Sequence, residues 1–121
     1  MAVRDFQVHE VGDQLYRKLT QPAAGGKVGD PGLVGDRPCV LLTDQDAAGA
    51  ATVKFNGSYR LSVKGENGAG NAALAVNAPV YYDAAATPKI NGDNTNGVRF
   101  GTLVEAVASG ATATAVVDLH G

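Results

Sequence analysis

Apolar and polar residues alternate with a period of two over much of this chain, and helical spacing is nearly missing. Ala51, Val53 and Phe55 are interleaved with Thr52 and Lys54, and Tyr59, Leu61 and Val63 with Arg60, Ser62 and Lys64. Such alternation marks strands with one buried face, because successive strand side chains point to opposite sides. Asn56-Gly57-Ser58 lies between the two runs and reads as a turn. A two-residue Asn-Gly loop would set Phe55 opposite Ser58 and mix core with solvent; a three-residue loop or a bulge sets Phe55 opposite Tyr59 and Val53 opposite Leu61. The outer face then carries Lys54 opposite Arg60, a like-charge pair that calls for an acidic neighbour.

Near the C-terminus a two-residue Ser109-Gly110 turn pairs Ala108 with Ala111, Ala106 with Ala113, Val104 with Ala115 and Thr102 with Val117. One apolar face results, closed by Phe100 and Leu119, with Glu105, Thr112, Thr114 and Asp118 on the other side. Val28 to Val34 and Arg37 to Leu42 read as strands around turns containing Asp30-Pro31-Gly32 and Gly35-Asp36, and Val80 to Asp83 as a further short strand. Asn71 is placed to cap one short helical turn within Glu66 to Asn77, although the glycines there weaken it. Ala84 to Val98 reads as a long polar connection with room for a small hairpin. The predicted fold is therefore mainly β: a small single-domain β-barrel or sandwich of short antiparallel strands with at most one short helix. Residues 1–27 form an N-terminal arm or edge strand, and residues 28–121 the β-rich domain.

Composition changes this picture in one respect. Gly numbers 16 of the 121 residues, aromatics reach only 6% and Trp is absent, so the core is built largely from Val, Leu and Ala. Such a core buries less apolar area per residue, which invites stabilisation by association. The net charge of −2 gives no reason to invoke nucleic acid. Met1 to Glu10 carries Arg4, Asp5 and Glu10 with no apolar core of a signal peptide, and no stretch approaches the ~20 apolar residues of a membrane span. Synthesis in a cytoplasm, with no membrane partner, is expected.

Candidate chemistry is sparse. Gly25-Gly26-Lys27 is followed by Val28 and has Gln21 where a phosphate loop needs its first Gly; Gly65, Gly68 and Gly70 reverse the order of the dinucleotide fingerprint. Asp93-Asn94-Thr95-Asn96-Gly97 is oxygen-rich, yet aligning Gly97 with the EF-hand glycine puts Gly92 at the first ligand position, so turn chemistry explains it better. Asp44 and Asp46 have no His nearby and read as a solvated turn. Asn56-Gly57-Ser58 matches the glycosylation pattern but has no secretory signal to give it meaning. Cys39 lies in an apolar run that raises a thiol pKa, while His9 and His120 sit near opposite ends of the chain. No catalytic, cofactor or metal residue is predicted. Tyr81-Tyr82 puts one ring inside and one outside, and an exposed Tyr suits an interface.

The local patterns occur in a telling order: Val28-Gly29-Asp30-Pro31-Gly32-Leu33-Val34-Gly35, Val40-Leu41-Leu42-Thr43-Asp44, Ala48-Gly49-Ala50-Ala51-Thr52-Val53, Gly57-Ser58-Tyr59-Arg60-Leu61, Pro79-Val80-Tyr81-Tyr82-Asp83, and Phe100-Gly101-Thr102-Leu103-Val104-Glu105-Ala106 before Ser109-Gly110. From Val28 to Leu119 this set resembles the capsid cement, or head decoration, proteins of tailed bacteriophages, long filed as a domain of unknown function. It departs at Arg37-Pro38-Cys39, where a Gly-Val pair is more usual, and in Ala84 to Val98, which is longer than typical. The resemblance implies a β-rich protein without a catalytic site that binds the major capsid protein on the outer surface of an expanded head, as a homotrimer, and stabilises it.

Contact residues follow as expectations from that resemblance. Val3, Phe6, Val8 and Tyr16 belong to a segment, Ala2 to Leu19, that either adds a strand to a capsid-protein sheet or serves as an edge strand of its own barrel. Lys54, Arg60 and Lys64 form a stripe facing either acidic capsid loops or solvent, and Tyr82 is a candidate anchor. The rival readings are a phage tail or surface-binding module on the same β scaffold, and a small hydrolase using Cys39 or the aspartates.

Overall fold

The structure, a computed structural model, describes residues 14–119, with side chains from residue 16 onward. β1 (Gln14–Lys18), β2 (Pro31–Val34), β3 (Arg37–Leu41) and β4 (Ala50–Lys54) make an antiparallel sheet in the order β1-β4-β3-β2. β5 (Ser58–Lys64) follows, then a two-stranded ribbon of β6 (Glu66–Asn67) and β7 (Gly70–Asn71). β8 (Pro79–Tyr82), β9 (Ile90–Asn91), β10 (Val98–Leu103) and β11 (Thr112–Leu119) join β5 in a closed barrel ordered β10-β11-β5-β9-β8. The described chain is all β and holds no helix, so the helical turn expected near Asn71 does not form. Leu74 instead exchanges two backbone hydrogen bonds of 2.8 Å with Val107.

β2 and β3 form the expected hairpin, with Val34 opposite Arg37 across Gly35-Asp36. Gly35 has a φ of 63°, the left-handed region that a tight turn asks of glycine, and Thr20 Oγ1 accepts its N–H at 2.8 Å. The run Pro38 to Leu41 is apolar throughout because β3 is covered on both faces. Cys39 and Leu41 pack with Leu19, Ala51, Val53 and Phe55, while Val40 joins Leu33 in the cluster that fills the barrel. Leu33 and Val40 thus carry the sheet into the barrel's core, beside a second, smaller cluster within the sheet. The Arg37 guanidinium sits 3.9 Å from the centre of the Phe55 ring and shields the end of the smaller cluster.

Two expected pairings are corrected. β4 and β5 keep the inward faces read from their alternation, but they are not a hairpin: β4 pairs with β1 and β3, and β5 with β11 and β9. Lys54 therefore does not lie opposite Arg60. Alternation fixes which face is buried, not which strand lies alongside. Around Gly57, whose φ is 101°, the chain crosses between sheets, held by Tyr59 Oη donating to the Asn56 carbonyl at 2.8 Å and Leu119 N–H donating to the Gly57 carbonyl at 2.9 Å.

The C-terminal hairpin exists one residue out of the expected register, with Thr102 opposite Asp118 and Leu103 opposite Val117. Against β8, β10 is irregular between Arg99 and Gly101, and this bulge makes Leu103 point inward while Val104 is left 44% exposed. The turn at Ser109-Gly110 is present, closed by Ala111 N–H donating to the Ala108 carbonyl at 3.1 Å, but the chain before it leaves β11 to meet Leu74. The long connection 84–98 also contains what polarity concealed: β9, whose Ile90 and Asn91 are both fully buried.

Candidate functional site

Cys39 is fully buried and its thiol is pushed up to about 12 by desolvation, only partly opposed by the Arg37 charge. A thiol in that state is neither a nucleophile nor a metal ligand near neutral pH. Among the described residues no three His, Cys, Asp or Glu side chains come together to hold a metal ion. No described helix is long and apolar enough to cross a membrane.

The aspartate loops act as turns. Asp93 Oδ1 accepts the N–H groups of Thr95 and Asn96 at 3.0 and 3.1 Å, and Oδ2 accepts from Asn96 Nδ2 at 2.9 Å. The Asn96 side chain, followed by its backbone N–H, holds the Asp93 carboxyl below the usual carboxylate range. Asp46 Oδ1 accepts from the N–H groups of Ala48 and Ala50 at 2.9 Å, and its carboxyl is lowered chiefly by the Tyr16 hydroxyl.

A cleft of about 310 Å³ lies where the sheet meets the barrel, lined by Pro22, Asp30 and Pro31 on one side and by Arg60, Ser62 and Lys89 on the other. Its charged groups are tied to the chain: Asp30 Oδ2 accepts the Lys27 N–H at 2.9 Å, and Lys89 Nζ donates to the Ala84 carbonyl at 2.7 Å. Tyr82 lies at its floor, 2% exposed, with its ring 6.1 Å from that of Phe100 and its hydroxyl pushed up to about 12 by burial, with Asp30 adding to the rise. Tyr82 is therefore corrected from surface anchor to core residue, because β8 turns it inward and leaves Tyr81 half-buried.

The other candidate contact residues fall apart in space. Val3, Phe6 and Val8 lie outside the described residues. Lys54 is half-buried on β4. Arg60 projects from β5, 3.5 Å from Glu105, with both side chains exposed; such a surface pair contributes about 0–1 kcal/mol. Glu105 also accepts the Val116 N–H at 3.1 Å, so the acidic neighbour belongs to the loop that β10 runs into. Lys64 is 3.4 Å from Glu66. The expected basic stripe is thus divided between two sheets and partly neutralised.

Tyr16 remains, and the structure gives it a setting. It is 65% exposed on β1, the edge of the four-stranded sheet, and its hydroxyl donates to Asp46 Oδ2. Leu19 N–H donates to the Gly49 carbonyl and Thr20 N–H to the Leu33 carbonyl, so odd positions of this segment face β4 and even positions face away from it. Beyond Thr20 the outward side is taken up by β2. At Tyr16 and Lys18 the outward N–H and carbonyl groups meet no other described strand. Val28, 62% exposed, borders the same 42–49 loop, its N–H donating to Asp44 Oδ1 at 3.0 Å. A strand edge that no described strand covers, carrying an exposed aromatic ring, is equipped for protein contact. In the sequence Val28 reads only as part of a strand, and nothing in its local pattern shows that it faces outward. In comparisons with family profiles, curated proteins and solved structures, the chain matches none.

Proposed function

We propose that this chain is a head decoration protein of a tailed bacteriophage, binding the major capsid protein on the outer surface of the expanded shell as a homotrimer and stabilising it. The observation that carries this reading is the outer edge of β1, which no other described strand covers, with Tyr16 65% exposed on it. An aromatic ring on a strand loses little entropy on docking, and the outward backbone groups next to it, which no described strand covers, are placed to form hydrogen bonds with a capsid strand. The ordered resemblance from Val28 to Leu119 points the same way, as does a core of small side chains that gains from buried contact outside itself.

Binding to the closed lattice and not to its separated subunits favours the closed state by mass action, and repeated copies add avidity. The role asks for surface and rigidity, with no bond-making step. The test is cosedimentation of the full chain with undecorated expanded heads. Tyr16→Ala is expected to weaken binding about tenfold or more, the loss of a central aromatic contact. Failure of the unaltered chain to sediment with heads would refute the proposal.

A further inference from the structure

Lys64, Glu66 and Asn91 converge outside the barrel wall. β5 and β9 are parallel neighbours with Val63 beside Ile90, so the next residues, Lys64 and Asn91, project side by side from the opposite face. Glu66 stands between them: Oε2 is 3.4 Å from Lys64 Nζ, and Oε1 accepts from Asn91 Nδ2 at 2.9 Å. Asn91 is fully buried, and its Oδ1 accepts the Asp93 N–H at 2.9 Å. An amine, an amide and a carboxylate touching both form the set that direct amide exchange needs.

We infer that Lys64 and Asn91 form an intramolecular isopeptide bond, with Glu66 as the catalytic acid and base. Glu66 takes a proton from the Lys64 ammonium, and the freed electron pair on Nζ attacks Asn91 Cγ to form the new C–N bond. Negative charge developing on Oδ1 is met by the Asp93 N–H, already aimed at that atom. The protonated Glu66 passes its proton to Nδ2, the Cγ–Nδ2 bond breaks as the charge on Oδ1 returns to the carbonyl, and the second Nζ proton passes through Glu66 to the released ammonia. The balance is one lysine ammonium and one asparagine amide giving one secondary amide and one ammonium ion, with Glu66 a carboxylate at both ends. No oxidant or further reactant is required.

Two features favour this route over the competing reactions of asparagine. Burial of Asn91 keeps water from its carbonyl carbon. The Gly92 N–H, which would attack that carbon in ring closure, is already donated to the Glu66 carbonyl at 2.9 Å. The product would tie β5 to β9 covalently where the barrel is joined by its parallel pair.

Intact-mass spectrometry of the full chain, after purification and incubation, decides the matter. Expected is a species lighter by one ammonia that yields a branched peptide joining the segment around Lys64 to that around Asn91. Lys64→Arg and Glu66→Gln should both keep the full mass. An unaltered chain that stays at full mass overturns the inference. So does an ammonia loss that persists in Lys64→Arg, since that marks ring closure at an Asn-Gly pair. The measurement involves no capsid, so its outcome is independent of the decoration proposal.

Discussion

Gly101 shows how closely β10 and β11 are joined. A Cβ added there would fall well inside contact distance of the Asp118 carbonyl and 2.9 Å from Val117 Cγ1, both on the neighbouring strand. Gly101→Ala is expected to destabilise by about 3 kcal/mol, seen as a lower urea midpoint with an unchanged slope. Gly29→Ala meets open space and carries only the strain of its φ of +87°, about 1–2 kcal/mol. At Cys39, burial together with a thiol pushed up to about 12 means that a thiol reagent at pH 8 should label the unfolded chain and leave the folded one unreacted. The Asp93 carboxyl, held low first by the Asn96 amide, has the opposite linkage. Its contribution is present above the unfolded value of about 3.9 and is lost as pH falls through the lower folded value. Asp93→Asn should therefore flatten the fall in stability measured by acid titration below about pH 4.

At the level of strands, β1 offers a separation of stability from binding. Arg17 faces Ala51 with its ladder groups turned toward β4, whereas the Tyr16 N–H is turned outward. Arg17→Pro removes a ladder hydrogen bond and is expected to cost about 1–3 kcal/mol in thermal or urea unfolding. Tyr16→Pro keeps the ladder, as proline does at sheet edges, and should leave the unfolding midpoint nearly unchanged while abolishing cosedimentation with heads. Sequence patterning made the strands legible but not their neighbours. The alternation in Ala51–Phe55 and Tyr59–Val63 identified the buried faces correctly, because side-chain period is local. That these strands part into two sheets is set by distant partners at Leu15, Leu41 and Ala115, which no local pattern specifies. The bulge against β8 near Phe100 lets Phe100 and Leu103 both face the core with Val104 outward, and the residues between Leu103 and Ser109, which turn aside to meet Leu74, put the β10–β11 register one residue from that of a plain hairpin. β9 was concealed because its two residues, Ile90 and Asn91, sit between Pro88 and Gly92 in a polar stretch. Of the candidate contact residues, Tyr16 lies on β1, the outer strand of its sheet among the described residues. Tyr82 is buried and Tyr81 half-buried, an assignment that two adjacent aromatics leave open in the sequence.

Across the whole molecule, Leu33 and Val40 bind the sheet to the barrel by entering the barrel's core. A shared core predicts one cooperative transition, and calorimetry should give a single peak whose direct and van't Hoff enthalpies agree. The same rigidity suits the proposed role, in which the chain acts through the area it covers. Heating undecorated expanded heads with and without the purified chain, and following their rupture by light scattering, tests this most directly. The account predicts a saturable rise in rupture temperature as the chain is added, lost with Tyr16→Pro. Heads that rupture at the same temperature at every concentration of the chain would contradict it.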